Sequence, residues 1–420
     1  MRIAFATFGC KINQYETEQM RQSVAGQGNA IVPFEGEADV YVINTCSVTA
    51  KSDYQCRQAI RAAVRRAPSS RVVVTGCYAE TRPEEIRSIP GVSLVLGNRG
   101  KTDLVRHIPA RNTGPVPEAA GSVSVARMRT RGFLKIQDGC DSRCSYCIVP
   151  HARGASRSIP SEQLIAEFDR MRDEGVPEVV LSGIHIGRYG QDLGNGYTLG
   201  GFAGELVARR GNTRIRLSSI EPREVTGEII GMLGQGLCRH LHIPLQSGDD
   251  EVLQAMNRNY TAGLYRDLAL SIAGKVPGIA IGADVMVGFP GETDRQFRST
   301  LELIEELPLT HLHVFSYSPR PGTPAADMPG QVHESIKKIR NEAVRDVGFK
   351  KNIAFRRSII GDHVEVLVED KRHERGYSGL TDNYLRVIVE GAGSRHVGSL
   401  QQVHVREYQE EGLAGTILDK

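Results

Sequence analysis

Long apolar runs are absent from this chain. No stretch approaches the roughly 20 consecutive apolar residues that are needed to cross a bilayer, so the sequence predicts no membrane-spanning segment and no membrane partner. The first residues also lack the basic, apolar and cleavage regions of a signal peptide, because Arg2–Phe8 enter a strand pattern at once. We therefore expect a cytoplasmic protein.

A strong excess of charge of one sign is missing too. The 52 Lys and Arg residues stand against 49 Asp and Glu residues, which leaves a formal net charge of +3. Domains that bind nucleic acid are usually much more basic than this. The overall charge therefore gives no argument for an RNA partner, and such an argument must come from local patches.

Cysteine, in contrast, is well represented. Eight cysteines in a chain without secretion signals indicate metal or redox chemistry rather than disulfides. Cys140, Cys144 and Cys147 form a C-x3-C-x2-C loop directly after an apolar segment, and three thiolates can hold a four-iron cluster that keeps one iron open. Zinc is the alternative, but zinc usually takes four ligands and no second pair or nearby histidine completes the set. The loop therefore predicts an iron–sulfur cluster with an open iron.

A second group of cysteines follows predicted strands near the N-terminus. Short apolar strands alternate with amphipathic helices here, which is typical of a doubly wound parallel sheet in an α/β protein. The predicted strands are Arg2–Phe8, Ile31–Phe34, Val40–Thr45, Arg71–Thr75 and Val92–Leu96. Cys10, Cys46 and Cys77 each follow one of them, and the carboxyl ends of parallel strands share one edge. We expect a second three-thiolate site there, whereas Cys56 and Cys238 are interpreted as structural.

Residues 109–127 read as a linker, and the strand–helix alternation then repeats. Six further units up to about Arg356 predict a partial or closed parallel barrel. Ligands bind at the carboxyl ends of such strands, where this sequence places small and polar residues. The candidates for a bound cofactor are Gly183, Ser219, Glu221 and Gln246. His185 and His242 are interpreted as structural.

The last part of the chain, 357–420, has short alternating segments with glycine-rich turns, which predict a small antiparallel β-barrel of OB-like type. Such barrels often bind nucleic acid, yet eleven acidic residues outnumber eight basic ones here. An RNA contact would need a local patch, for which we expect Lys371–Arg375 with Tyr377 and Tyr384 as stacking platforms. A stripe of arginines at Arg57, Arg61 and Arg65 is either a solvated helix face or a phosphate track.

Taken together, these features resemble the methylthiotransferase family of radical S-adenosylmethionine (SAM) enzymes. The resemblance covers nearly the whole chain and implies an auxiliary-cluster domain at 1–110, a radical SAM core forming a partial (βα)6 barrel at 127–356, and a TRAM domain at 357–420. The motifs at Thr7–Thr17 and Tyr146–Gly154 are most similar to one branch of the family. That branch adds a methylthio group to carbon 2 of N6-threonylcarbamoyladenosine beside the tRNA anticodon.

The resemblance also implies the cofactors and partners. Two [4Fe-4S] clusters would be held by the two cysteine triads, and SAM would contact Tyr146 together with the four strand-end residues; no catalytic side chain is assigned. The partners would be a tRNA anticodon stem-loop, an external electron donor of flavodoxin or ferredoxin type, and a sulfur source. Three alternatives remain open: methylthiolation of a ribosomal protein side chain, of isopentenyladenosine in tRNA, or a noncatalytic iron–sulfur electron carrier.

Overall fold

A computed structural model describes residues 1–108, 130–194, 196–410 and 412–418. The predicted linker at 109–127 lies outside this part of the chain. The described residues form two compact units. Of the described residues, the first unit comprises 1–108, Asp138–Ser156 and Ser318–Asp327, and the second comprises 130–137, 157–194, 196–317, 328–410 and 412–418.

The first unit is built on a five-stranded parallel sheet. Its strands are β1 (Arg2–Thr7), β2 (Ala30–Val32), β3 (Val40–Thr45), β4 (Arg71–Gly76) and β5 (Val92–Leu96). Their order in the sheet is β2-β1-β3-β4-β5, with chain reversal about β1 as in doubly wound folds. The central strand β3 is buried along its whole length, which explains its continuous apolar sequence. The prediction of a doubly wound parallel sheet is confirmed.

Six α-helices belong to the described part of the first unit. They are α1 (Lys11–Ala25), α2 (Ala50–Arg66), α3 (Cys77–Thr81), α4 (Pro83–Arg87), α5 (Leu104–His107) and α6 (Val149–Arg153). Helix α2 begins with a capping box, in which Thr49 accepts from Ser52 and Ser52 from Thr49. The five-residue helix α3 was not predicted, because it follows β4 without a loop and is too short to show a helical period.

The second unit contains six parallel strands in two neighbouring sheets, ordered β10-β9-β6 and β11-β12-β13. The strands of this region are β6 (Gly132–Lys135), β7 (Gln137–Asp138), β8 (Arg157–Ser158), β9 (Glu178–Ser182), β10 (Arg214–Leu217), β11 (His240–His242), β12 (Ala280–Val287) and β13 (His311–Ser316). Backbone bonds from Cys238 to Ile215 (2.8 Å) and from Ile220 to His242 (2.9 Å) connect the two sheets. This arrangement confirms the partial (βα)6 barrel.

Helices cover one face of these sheets. They are α7 (Ser161–Asp173), α8 (Leu199–Arg209), α9 (Gly227–Met232), α10 (Asp250–Ala255), α11 (Ala262–Lys275), α12 (Asp294–Glu306) and α13 (Glu334–Arg357). Alternate strand residues such as Leu241, Ala283 and Val285 pack with them in one large apolar core. The residues between them, among them His242 and Asp284, therefore lie on the opposite face.

A closed barrel of five strands completes the second unit. Its strands are β14 (His363–His373), β15 (Gly376–Thr381), β16 (Arg386–Glu390), β17 (Leu400–Gln409) and β18 (Gly412–Ile417), in the order β14-β15-β16-β18-β17. The predicted barrel is confirmed with one difference: β16 pairs with β18 in parallel, whereas the other pairs are antiparallel. Among the described residues, no helix has both the length and the apolarity that a bilayer crossing requires.

Candidate functional site

Three cysteines converge at the carboxyl edge of the first sheet. Cys10 directly precedes α1, Cys46 follows β3, and Cys77 is the first residue of α3 after β4. Gly9 adopts a φ of +95°, and a Cβ atom there would lie 2.7 Å from the Sγ of Cys46. The backbone before Cys10 thus approaches Cys46 as closely as only glycine allows.

The electrostatics of Cys46 show that the three sulfurs are close enough to interact. Burial raises the pKa of the Cys46 thiol, and the neighbouring Cys77 and Cys10 raise that pKa further. Three such thiols would repel one another once deprotonated, unless a positively charged centre lay among them. The donor set therefore fits an iron–sulfur cluster chemically, and the assignment of these cysteines as ligands stays a prediction.

The second cysteine triad also lies in the first unit. Cys140, Cys144 and Cys147 are partly exposed on the loop that leads into α6. The Cys147 amide donates to the Cys144 carbonyl, and the Cys140 amide donates to the Gly154 carbonyl, each at 3.0 Å. Three thiols on one partly exposed turn can face a common metal centre, which is what the spacing predicts. Their role as ligands is likewise a prediction.

Buried charges connect the segments that carry the two triads. Arg153, six residues after Cys147, donates to Asn13 Oδ1 at 2.6 Å, to Glu16 Oε1 at 2.7 Å and to Asp138 Oδ1 at 3.0 Å. Lys101 donates to the other Glu16 oxygen. Burial alone would lower the pKa of Arg153, but its bond to Glu16 holds that pKa above the ordinary value. Arg153 is therefore a permanent cation inside the first unit.

Asn98 makes a further connection beside the first triad. Its side-chain amide donates to the Ala152 carbonyl at 2.6 Å and lies 3.7 Å from the Cys77 sulfur. Sequence reasoning missed Asn98, Lys101 and Arg153. The sequence did contain one signal for a cationic partner. Asn13 and Glu16 are spaced i, i+3 on α1, so an amide and a carboxylate lie side by side, and this pair favours a cation.

The candidate cofactor residues are divided between the two units. Tyr146 lies on the cysteine loop of the first unit, whereas Gly183, Ser219, Glu221 and Gln246 lie in the second. Gly183 packs tightly, since a Cβ there would lie 2.8 Å from Ile186. Ser219 is exposed after β10.

Two of these candidates carry specific constraints. Gln246 is buried and adopts a φ of +62°, which is uncommon for a residue with a side chain and typical of functional turns. Glu221 accepts a hydrogen bond from Arg258. Burial raises the pKa of the Glu221 carboxyl, and Arg258 offsets part of that effect. Binding of SAM by these residues stays a prediction.

Two of the side chains considered as RNA contacts have partners within the protein. The Tyr384 ring stacks on His240 at 4.4 Å between centroids and lies 5.1 Å from the Arg216 guanidinium, so it is engaged inside the second unit. Arg57 donates to Tyr78 at 2.6 Å and to Glu85 at 3.0 Å, so one arginine of the stripe is engaged within the first unit. Sequence spacing gave no sign of these partners, because each lies 21 or more residues away along the chain.

Comparison with known proteins decides the family. Residues 2–97 match Uncharacterized protein family UPF0004, and residues 134–304 match the Radical SAM superfamily. The chain is 39% identical to Threonylcarbamoyladenosine tRNA methylthiotransferase MtaB of Bacillus subtilis, over 96% of this chain and 93% of that protein. It is 36% identical to the protein of the same name from Thermotoga maritima, over 98% and 96%. The chain belongs to the methylthiotransferase family of radical SAM enzymes.

Solved structures agree with this methylthiotransferase assignment at the level of the fold. The radical SAM methyltransferase TsrM from Kitasatospora setae, solved with tryptophan and a SAM analogue, matches with a TM-score of 0.56 over 77% of this chain and 75% of that chain. The two chains are 17% identical, so the similarity concerns the fold alone. The predicted family is thus confirmed by sequence, and the core architecture by structure.

Proposed function

We propose that this protein is a radical SAM enzyme that adds a methylthio group to carbon 2 of N6-threonylcarbamoyladenosine next to the anticodon of tRNA. The observation that carries the proposal is the near full-length identity to relatives named for this activity, at 39% and 36%. The presence of both cysteine triads in one compact unit supports it, because this chemistry needs both a radical source and a sulfur donor.

Six cysteines would hold the cofactors. Cys140, Cys144 and Cys147 would ligate the cluster that binds SAM, and Cys10, Cys46 and Cys77 would ligate the auxiliary cluster. When bound, these groups supply the radical that activates the inert C–H bond and the sulfur that replaces the hydrogen. The protein contributes the positions of the ligands and the surroundings of the clusters.

Buried polar residues would do the positioning. Arg153 ties the end of the second cysteine loop to Asn13 and Glu16 on the helix after Cys10, so the two ligand loops share one rigid support. Lys101 and Arg153 also place two cations near Cys77, one of the proposed cluster ligands. Gln246 and Glu221 remain our candidates for hydrogen bonds to the ribose of SAM.

The proposed reaction implies further partners. An external electron donor of flavodoxin or ferredoxin type would reduce the SAM-binding cluster, and a separate sulfur source would supply the transferred sulfur. Because the proposed substrate is tRNA, we also propose a cytoplasmic location for the enzyme.

A direct assay separates the candidate functions. The anaerobically reconstituted protein is incubated with dithionite, SAM and one of three substrates: an anticodon stem-loop carrying N6-threonylcarbamoyladenosine, a stem-loop carrying isopentenyladenosine, or ribosomal protein. We expect the mass gain of a methylthio group on the first RNA. A gain only on isopentenyladenosine or only on protein would overturn the proposed substrate. Absence of any SAM cleavage would indicate an electron carrier instead.

A further inference from the structure

Two strands of the second unit carry the same tripeptide, His-Leu-His, on either side of β12. The tripeptide forms β11 at His240–His242 and begins β13 at 311–313. Because side chains alternate along a strand, the leucine of each triplet points to one face and both histidines point to the other. Leu241 lies in the apolar core. Four imidazoles therefore share the face of this sheet that is opposite the core.

The four histidines divide into two pairs with different partners. Tyr384 of the terminal barrel stacks on His240 at 4.4 Å between centroids and contacts His311 edge to face at 6.0 Å. The terminal barrel thus contacts the first histidine of each triplet. The second histidines, His242 and His313, form the other pair, with 4.8 Å between their ring centroids.

A carboxylate on the strand between them brings His242 and His313 to one point. Asp284 of β12 pairs with His313 in the strand register, and its Oδ1 atom lies 3.3 Å from Nδ1 of His313. The same oxygen lies 2.9 Å from Nε2 of His242. Gly282 leaves room for the His242 ring, because a Cβ atom there would lie 2.7 Å from Nδ1 of that ring. Two nitrogens and one oxygen, from three neighbouring strands, therefore lie within 4.8 Å of one another.

This set of donor atoms is one that divalent transition metals prefer. Zinc and related ions bind neutral imidazole nitrogen and carboxylate oxygen, and zinc sites with three protein ligands keep a further position for water. With bonds of ~2.0–2.1 Å, the ligand atoms of a tetrahedral site lie about 3.3 Å apart, which is close to both distances that Asp284 makes. Two neutral imidazoles and one carboxylate carry one negative charge, which a cation balances.

The burial of the three side chains leaves an entry path for an ion. The His242 side chain is only 10% exposed, that of Asp284 is 23% exposed, and that of His313 is 63% exposed. The sheet therefore holds one side of the cluster, and the other side is open to solvent. Because all three residues lie on strands, their backbone positions are fixed more precisely than those of residues on loops.

We propose that His242, Asp284 and His313 bind a divalent transition-metal cation of the zinc class through Nε2, Oδ1 and Nδ1. At least one coordination position is then left for water or another ligand on the side of His313. The cation would bind whether or not the protein modifies tRNA, because none of the three residues belongs to either cysteine triad.

Zinc binding by the full-length protein tests this site. Both clusters are first reconstituted anaerobically, Zn²⁺ is added in equimolar amount, and unbound metal is removed by desalting. We expect about one retained zinc per chain by elemental analysis, with nitrogen and oxygen neighbours at ~2.0–2.2 Å and no sulfur at ~2.3 Å in the zinc-edge X-ray absorption spectrum. No zinc retained by the unaltered protein, or sulfur neighbours around it, would overturn the proposal.

Two variants and a control locate the ion. Asp284→Asn and His313→Gln should each weaken zinc binding at least ~100-fold in competition with a chromophoric chelator, since even residues outside the coordination shell change metal affinity by about 10- to 100-fold. His363→Gln alters an exposed histidine of the terminal barrel and should leave the affinity unchanged. Iron content and the urea unfolding midpoint show whether each variant keeps its clusters and its fold. Unchanged zinc affinity in folded His313→Gln would refute the site.

Discussion

The joint between the barrel core and the terminal barrel gives the sharpest test of stability. Glu178 on β9 is fully buried and pairs with Arg214 at 2.6 Å and Arg216 at 2.9 Å on the neighbouring strand β10. Arg214 donates onward to the Leu380 carbonyl, and Arg216 to the Thr381 carbonyl, both at the end of β15. The Glu178 carboxylate thus pairs with two arginine side chains, and both of these donate hydrogen bonds to the terminal barrel.

Replacing Glu178 with glutamine should remove about 3 kcal/mol from the free energy of unfolding of the second unit. Burial alone would raise the pKa of Glu178, but Arg216 and Arg214 outweigh burial and lower it from 4.5 to about 2. A shift of this size corresponds to about 3 kcal/mol at ~1.4 kcal/mol per pKa unit. Loss of one partner from a buried ion pair costs about 3–5 kcal/mol, which agrees.

The sign of the pH dependence follows from the lowered pKa. The contribution of ionised Glu178 to the free energy of unfolding is fully present above the unfolded pKa of 4.5. It is lost as the pH falls toward the folded pKa of about 2. The difference between the unaltered protein and Glu178→Gln should therefore be equal at pH 8 and pH 5.5, and should shrink only below pH 4.5.

Urea unfolding, monitored by circular dichroism, measures the difference in the free energy of unfolding between the unaltered protein and Glu178→Gln. Hydrogen exchange of the peptide around Thr381 shows where the stability is lost. Glu167→Gln, which breaks an exposed pair with Arg170, is the control and should cost about 0.5 kcal/mol or less. A cost below about 1 kcal/mol for Glu178→Gln, or a strong change between pH 5.5 and 8, would refute the reasoning.

Three further predictions concern the first unit and the joint. Cys46→Ala should remove about half of the bound iron and leave reductive SAM cleavage intact, whereas Cys144→Ala should abolish cleavage and retain the other cluster; iron analysis and 5′-deoxyadenosine yield measure both. Arg153→Met should cost about 1–3 kcal/mol in urea unfolding, because Asn13 Oδ1 and Glu16 Oε1 lose their buried donor while Lys101 still pairs with Glu16, and an unchanged midpoint would contradict this. Arg239→Ala breaks a half-exposed pair with Asp382 and should cost about 1 kcal/mol or less in the same assay.

The sequence predicted most of the fold because its strands are periodic and bounded by turns. Val40–Thr45 and Val92–Leu96 have the predicted bounds. In the terminal barrel, β15 and β18 were not predicted. Their sequences, such as Gly376–Thr381, contain glycines and polar residues, and their strand character comes from pairing with neighbours rather than from local propensity.

The cysteine residues of the candidate site could be predicted from the sequence. Contacts between residues that only the fold brings together could not. Two cysteine triads can be found from spacing and strand ends. Arg153 and Glu16 are 137 residues apart, and nothing local marks them as a pair. His242 was interpreted as structural because a lone histidine usually is; only the register of β11, β12 and β13 shows that it shares Asp284 with His313.

The acidic composition of the terminal barrel has a structural explanation that changes how its charge is interpreted. Asp382 pairs with Arg239 of the core at 2.7 Å, and Glu369 pairs with Arg131 at 3.0 Å. These two carboxylates form ion pairs with arginines of the core, so they do not present their full negative charge to a ligand. Lys371 and Arg372 remain exposed on β14. Net charge counted over the terminal segment therefore understates its capacity to approach a phosphate backbone, and the potential at this surface depends on which carboxylates the core arginines neutralise.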